Sequence, residues 1–139
     1  MHKESIVRAL PSLLYGVAAY LLSMASLTWF IGFSGNLLVP RSVDAGGAGG
    51  GPARALATDV LLVLLFGVQH SVMARPGFKR WWTGFVPAVV ERSTYIVASS
   101  LALVMLMAFW RPITAPVAWR VDGPAAASVW TGFGLGWGI

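Results

Sequence analysis

The sequence predicts an all-α fold: a polytopic bundle of transmembrane helices with three full spans and the start of a fourth. Of its 139 residues, 57% are apolar and only 11% are charged, and the mean hydropathy is +0.72. A soluble domain has roughly 45–50% apolar and about 25% charged residues, and a disordered chain combines low hydrophobicity with high charge. The charged residues lie in short clusters between long uncharged runs, which is typical of a chain that crosses a bilayer.

The first uncharged run extends from Ala9 to Pro40 and predicts a helix over residues 11–33. Because a helix rises 1.5 Å per residue, about 20 residues cross a hydrocarbon core of about 30 Å. Pro11 suits the start of a helix, and Gly35 and Asn36 suit its end. A cleaved secretory signal is the alternative, but this apolar run is longer than the usual core of about 7–15 residues.

Three further uncharged runs predict spans over residues 55–74, 93–110 and 125–139. Asp59 is interpreted as marking the start of the second helix. The last run has roughly 15 residues, so a terminal carboxylate would lie in or near the hydrocarbon, where charge is costly. We therefore expect one membrane domain that is the amino-terminal portion of a longer protein.

The connecting segments differ in composition. Residues 44–54 are rich in glycine and predict a flexible linker. Residues 75–92 mix aromatic residues such as Trp81 and Trp82 with Lys79 and Arg80, which is typical of an amphipathic segment on a membrane surface. Closure of this segment over a cofactor is the alternative.

The distribution of Lys and Arg predicts the orientation. The segment between the second and third spans contains four of these residues, whereas the loops after the first and third spans contain two each. Since short cytoplasmic loops are enriched in Lys and Arg, the 75–92 segment and the amino terminus are predicted to be cytoplasmic. The net charge of +5 is therefore assigned to topology and not to a nucleic-acid partner. The chain has no cysteine, so a thiolate nucleophile and a Cys-ligated metal are excluded within it.

An ionisable residue inside a membrane is a functional hypothesis, because it is costly unless it is paired or faces a cavity. His70 lies about one turn from the end of the second span. It is a candidate proton acceptor, a candidate haem or metal ligand, or a residue that only fixes helix packing. Gly67 and Ser71 on an adjacent face predict close approach by another helix.

Glu91, Tyr95 and Ser99 recur at four-residue spacing and therefore share one face of the third span. Capping of that helix by Ser93 or Thr94 is one interpretation of the polar residues at its start. The alternative is that Glu91, the neighbouring Arg92 and His70 meet in one cytoplasm-facing pocket. In the first span, small residues form a stripe that predicts a packing face: Gly16, Ala19, Ser23 and Ser26.

Two segments have a recognisable pattern. Residues 66–82, which include Gln69-His70-Ser71 and Arg75-Pro76-Gly77, and the following residues 90–95 resemble the bacterial methanethiol S-methyltransferases. Residues 35–40, 110–112 and 136–139 support the resemblance. More distantly, His70-Ser71 in a membrane helix is similar to NnrU-like proteins, whose plant relatives include a haem-dependent carotene isomerase. Both groups belong with the isoprenylcysteine carboxyl methyltransferase type of membrane enzyme.

The resemblance implies a multi-pass enzyme of the bacterial inner membrane that transfers a methyl group from S-adenosylmethionine to methanethiol, a small volatile thiol, and yields dimethyl sulfide. His70 or Glu91 would take or orient the thiol proton, and Arg92 would balance charge. The alternatives are a haem-binding NnrU-like protein, with His70 as ligand of haem b, and a non-enzymatic membrane subunit. No other metal site is predicted.

The resemblance also implies where the methyl donor binds. In this class the donor is held mainly by a carboxyl-terminal half, around an Arg-His-Pro element. The Arg-Pro pairs of this chain, at Arg75 and Arg111, have no intervening His. We therefore expect the donor-binding residues beyond Ile139, and we expect residues 1–139 alone neither to bind S-adenosylmethionine tightly nor to turn over.

Overall fold

A computed structural model describes residues 2–47, 50–113 and 120–138, with the backbone alone for residues 2–8. Residues 48–49 of the predicted linker and Ile139 of the predicted fourth span lie outside the described residues. The described chain contains five helices and no strand: α1 (His2–Gly35), α2 (Pro52–Ala74), α3 (Pro76–Trp82), α4 (Ala88–Phe109) and α5 (Pro124–Gly138).

Three of these helices are long and apolar enough to cross a membrane, over Ala9–Gly35, Pro52–Ala74 and Ala88–Phe109. The 15-residue α5 is shorter. Large apolar side chains on the outward faces are more than half exposed, for example Leu13 at 62% and Leu61 at 66%, which suits contact with lipid. The all-α fold class with three full spans is confirmed.

Proline residues mark the starts of several helices. Pro52 and Pro76 occupy the first turns of α2 and α3, where a missing N–H costs no hydrogen bond. Pro11 differs, since α1 begins at His2 and Pro11 lies inside the helix.

Two interpretations of polar residues at helix starts are wrong. Helix α4 begins at Ala88, directly after Pro87, so Ser93 and Thr94 lie inside the helix and do not cap it. Thr94 Oγ1 instead donates to the carbonyl of Val90. Asp59 does not mark the start of α2 either, because it lies about two turns beyond Pro52 and is 6% exposed. Its carboxylate has a different partner, described below.

Helix α4 packs against both α1 and α2 and forms the centre of the bundle. Helices α1 and α4 run in the same direction, because Tyr15 contacts Thr94 near their beginnings and Phe33 contacts Trp110 at their ends. Helix α2 runs the opposite way. The bundle therefore has a His70 end, where α2 ends and α1 and α4 begin, and an Asp59 end, where α2 begins and α1 and α4 end.

Small residues allow α1 to approach α4. Ala19 and Ser26 are 1% and 5% exposed, and a Cβ on Gly16 would lie 3.5 Å from Ser93 Oγ. The predicted packing face on α1 is thus confirmed. The prediction for Gly67 and Ser71 is wrong within the described chain, since a Cβ on Gly67 would meet no atom within 4 Å and Ser71 is exposed.

The Asp59 end is fixed by contacts between loops and helices. Asp59 Oδ1 accepts a 2.9 Å hydrogen bond from the backbone N–H of Arg111, directly after α4. Trp110 Nε1 donates to the carbonyl of Val43 at 3.0 Å, and the Trp110 ring packs edge-on against Phe33. The buried cluster of the bundle lies beside these contacts: Phe33, Leu62, Leu103, Leu106 and Met107.

The glycine-rich stretch is also packed at this end. Gly47 has φ +100°, and a Cβ there would lie 2.9 Å from both Trp110 O and Pro112 Cδ. Only glycine combines this backbone conformation with this close approach. The loop after α1 is therefore in direct contact with the end of α4.

Candidate functional site

The candidate site is a cavity of about 170 Å³ between α1, α2 and α4, toward the His70 end. Among the described residues, no Asp, Glu, Lys or Arg side chain lines this cavity. The lining combines hydroxyl groups, aromatic rings and aliphatic side chains: Ser23, Ser26, Leu27, Phe66, His70, Tyr95, Ile96, Ser99, Ser100 and Leu103.

His70 is an ionisable side chain of this cavity that can act as either a hydrogen-bond donor or an acceptor. The Tyr95 hydroxyl lies 3.1 Å from Nδ1 and 3.0 Å from Nε2, and Ser99 Oγ lies 3.3 Å from Nδ1. A hydroxyl group can donate its proton to only one ring nitrogen at a time. Tyr95 and Ser99 together can therefore form hydrogen bonds with both ring nitrogens. The side chain of His70 remains exposed in spite of these contacts.

A second polar residue of α2 extends this group. Gln69 Nε2 donates to Ser99 Oγ at 3.4 Å and to Met73 Sδ at 3.1 Å. Gln69 Oε1 is buried and has no hydrogen-bond partner within the described chain. Since an unsatisfied buried acceptor is costly, a donor on a ligand or a water would be stabilised beside it.

Aromatic rings fix the orientation of the imidazole. Phe66, one turn before His70 on α2, stacks on it with ring centroids 5.5 Å apart and an interplanar angle of 24°. Tyr95 approaches from α4 with a centroid distance of 5.3 Å. The imidazole is therefore held between its own helix and the central helix.

The structure brings only one of the three predicted site residues to the cavity. His70 lines it, whereas Glu91 and Arg92 are not among its lining residues. Glu91 lies in the first turn of α4, with its side chain 15% exposed, and its Oε1 is 3.8 Å from Lys79 Nζ of α3. Arg92 is exposed. A single pocket that contains all three residues is not seen in the described chain.

The segment between α2 and α4 carries an aromatic cluster. Phe78 stacks on Trp82, and Trp81 contacts both Trp82 and Phe85. Trp81 and Phe85 are 59% and 73% exposed, which suits the headgroup layer of a membrane. The indole N–H of Trp82 is buried without a hydrogen-bond partner in the described chain.

The sequence pattern places Tyr95 and Ser99 on one helix face but does not identify them as partners of His70. Their four-residue spacing was the available signal, because residues at that spacing face the same neighbour. Ser23 and Ser26 were assigned to packing alone, yet both also line the cavity. Their contribution depends on where α1 crosses α4, which no local pattern reveals.

The arrangement can bind a small, largely apolar molecule and exchange one proton with it. Hydroxyl groups and an imidazole provide donors and acceptors, while Phe66 and Leu103 provide apolar surface. The described residues contain no group of three or more His, Cys, Asp or Glu side chains able to hold a metal ion.

Known proteins similar to this chain include several methyltransferases. The chain is 46% identical over 128 residues to a protein from Mycobacterium tuberculosis named methanethiol S-methyltransferase, which covers 91% of the chain and 51% of the relative. It is 47% identical over 131 residues to a protein of the same name from Pseudomonas deceptionensis, covering 94% of the chain and 49% of the relative. The predicted resemblance is thereby confirmed.

A more limited similarity joins the chain to nurim from Danio rerio, at 41% identity over 78 residues, or 55% of the chain and 28% of the relative. No family model and no solved structure matches the sequence. The chain spans about half the length of the methanethiol S-methyltransferases that it matches.

Proposed function

We propose, from its similarity to proteins named methanethiol S-methyltransferase, that this chain forms the thiol side of an active site that methylates methanethiol to dimethyl sulfide. The observation that carries the proposal is the identity of 46% over 91% of the chain. The cavity at His70 supports it independently, because its size and lining suit a small thiol.

Substrate binding in this proposal is mainly a matter of fit. Methanethiol has one methyl group and one weakly polar S–H, so it offers few contacts beyond apolar packing. Phe66, Ile96 and Leu103 provide that packing, and the cavity borders three helices that are themselves apolar. An apolar thiol dissolved in the bilayer can therefore reach the site laterally.

His70 would accept the proton that the thiol loses. Methyl transfer would form a C–S bond on the thiol while the C–S bond of the sulfonium donor breaks and leaves a thioether, and the S–H proton must leave to give a neutral sulfide. A model cysteine thiol has a pKa of about 8.5, and an alkanethiol is a weaker acid, so the thiol is mostly protonated near neutral pH and a nearby base accelerates the reaction. His70 has the suitable chemistry, and release of one hydroxyl partner, Tyr95 or Ser99, would make a ring nitrogen available to the thiol.

The methyl donor does not fit the described cavity. S-Adenosylmethionine carries an adenosine, a sulfonium, an ammonium and a carboxylate, whereas the cavity has about 170 Å³ and no carboxylate or guanidinium in its lining. We propose that the donor-binding residues lie beyond Ile139, and a dissociation constant in the micromolar range for S-adenosylmethionine on residues 1–139 would contradict this.

Glu91 and Arg92 have secondary roles in the proposal. Glu91 is a second candidate base, and Arg92 a candidate for balancing charge at the same end of the bundle. Glu91 lies in the first turn of α4 and Arg92 follows it, about one turn before Tyr95. The proposal also places the protein in a bacterial inner membrane, with its amino terminus in the cytoplasm.

The test is production of dimethyl sulfide by cells that express the protein from its own gene and receive methanethiol. We expect dimethyl sulfide in the headspace, and we expect H70Q to lower its rate of formation by about a hundredfold, as for loss of a general base. S71A is the matched control, because Ser71 is the exposed neighbour of His70 and does not line the cavity.

Equal membrane levels of each variant, measured by immunoblot, make the rates comparable. A rate for H70Q within a few-fold of the unmodified protein would contradict the role of His70. Absence of dimethyl sulfide together with a haem absorption band that H70A abolishes would support the haem-binding alternative. The geometry favours proton exchange, because hydroxyl groups lie within hydrogen-bond distance of both ring nitrogens.

A further inference from the structure

A second cavity, of about 310 Å³, lies along the contact between α1 and α4 toward the Asp59 end. Its walls come from one face of each helix and are almost entirely apolar: Leu22, Ala25, Trp29, Val104, Met107 and Ala108. Trp29 is 50% exposed, so the cavity borders the surface that faces lipid. Nothing in the proposed methyl transfer uses this cavity.

The outer end of this cavity is basic. Its lining is completed by Ser26 of α1, which also lines the cavity at His70, and by Pro40 and Arg41 from the segment that follows α1. Arg41 and Ala108 also line an adjoining cavity of about 540 Å³, together with Gly47, Phe109 and Arg111. The two cavities thus share a wall at Arg41. The apolar cavity continues into the adjoining cavity, here called the basic pocket, where the membrane spans end.

Backbone packing holds Arg41 at this junction. A Cβ on Gly46 would lie 3.0 Å from Arg41 Cγ, and a Cβ on Gly47 would lie 3.5 Å from Arg41 Nη2. Because both glycines have positive φ, the loop can curve closely around the arginine side chain. The pocket is therefore built by the same loop that contacts the end of α4.

Two acidic residues on this side have other partners. Asp44 Oδ2 accepts a 2.6 Å hydrogen bond from Asn36 Nδ2, and buried Asp59 accepts the Arg111 N–H. Within the described part of the chain, neither carboxylate lines either cavity. Arg41 and Arg111 are the charged residues in the described lining of the basic pocket.

We propose that the two cavities bind one anionic phospholipid, with an acyl chain in the apolar cavity and the phosphate at Arg41. An acyl chain gains van der Waals contacts with the apolar walls, and a phosphate at the end of the spans lies at the depth of the lipid headgroups. A zwitterionic lipid adds a cation that the basic pocket repels. Free phosphate would leave the apolar cavity unfilled, so a lipid is the better match.

Native mass spectrometry of the delipidated chain in detergent tests the proposal, with dioleoylphosphatidylglycerol and dioleoylphosphatidylcholine as the added lipids. We expect the chain to retain the phosphatidylglycerol preferentially. R41Q should weaken its retention by about fivefold, which corresponds to one basic residue near a lipid headgroup. A25W, which fills the apolar cavity, should reduce retention of both lipids.

R54Q is the matched control, because Arg54 is an exposed arginine at the same end that lines neither cavity. Retention by R54Q equal to that of the unmodified chain supports the site. An equal loss in R41Q and R54Q overturns it and indicates general attraction of anions. Equal retention of the two lipids, or displacement by inorganic phosphate with no effect of A25W, also overturns it.

Discussion

The two ends of the bundle use polar side chains in different ways. At the Asp59 end, two buried or half-buried side chains bond to backbone groups of the loops: Asp59 to the N–H of Arg111, and Trp110 to the carbonyl of Val43. At the His70 end, side chains bond to one another around a cavity, as His70 does with Tyr95 and Ser99. The first arrangement fixes the fold, and the second leaves polar groups available to a ligand.

The difference follows from the freedom of the partners. The direction of a backbone N–H is fixed by the fold. A buried carboxylate that accepts its hydrogen bond would be left unsatisfied, at a cost in free energy, if the bond were lost. Hydroxyl groups rotate, and an exposed imidazole can exchange a hydroxyl partner for a ligand at little cost. We therefore expect substitutions at the Asp59 end to lower stability and those at the His70 end to lower activity.

The largest expected effect on stability is that of D59L. The substitution removes the acceptor of the Arg111 N–H in a position that is 6% exposed. Since a hydrogen bond to a charged group contributes about 1.5–3 kcal/mol, we expect the free energy of unfolding to fall by about 2–3 kcal/mol. Unfolding of the purified chain by dodecyl sulfate in mixed micelles, followed by circular dichroism, measures it.

D44N is the matched control for D59L, because Asp44 is an exposed carboxylate at the same end. Its asparagine replacement keeps an acceptor for Asn36, so we expect a change below about 0.5 kcal/mol. If H70Q destabilised the chain as much as D59L does, the distinction between the two ends would be incorrect.

The next effect concerns two glycines, one at each end. G47A places a Cβ 2.9 Å from Trp110 O at φ +100°, and should cost about 1–2 kcal/mol of unfolding free energy. G67A lies in helix α2 with open space around its Cβ, and should stabilise the chain by up to about 1 kcal/mol. The same micelle titration compares them. Destabilisation by G67A would indicate that another helix packs there, as its sequence pattern suggests.

Much of the fold could be predicted from the sequence, because a bilayer requires long uncharged runs and these runs are visible. Assignment of individual polar residues was less successful. Asp59 resembled a residue at a helix start, and its partner is a backbone group 52 residues away. Gly67 and Ser71 match a packing motif, yet the neighbouring helix approaches the face of Gln69 and His70 instead. Rotation of a helix about its axis is set by tertiary contacts.

The candidate site was predictable to a similar extent. His70 was identified because membranes make ionisable residues costly, a property of the residue and its position. Which residues of α4 become its partners depends on how far α2 and α4 are shifted along their axes relative to each other. The connecting segment that contains α3 sets this shift. Glu91 and Arg92 were grouped with His70 by their common membrane level, but the cavity extends from His70 toward Ser99 and Leu103.

A smaller effect on activity should follow removal of the partners of His70. Y95F and S99A each delete one hydroxyl beside the imidazole, worth about 1 kcal/mol, so we expect dimethyl sulfide formation to fall by about fivefold. Y20F is the control, because Tyr20 is a tyrosine of α1 that is 58% exposed and lies outside the cavity lining. A shift of the pH dependence of the rate in Y95F, without loss of stability, would separate positioning of His70 from simple packing.

The smallest expected effect concerns the ion pair between Lys79 and Glu91. Its atoms are 3.8 Å apart and the Lys79 side chain is 43% exposed, so solvent screens the attraction and K79Q should change stability by less than about 0.5 kcal/mol. Comparison with E91Q then assigns the function of Glu91. If Glu91 only holds α3 against α4, both variants should form dimethyl sulfide at nearly the unmodified rate. A loss of activity in E91Q alone would identify Glu91 as a second base, and would mean that the chemistry extends beyond the His70 cavity toward the start of α4.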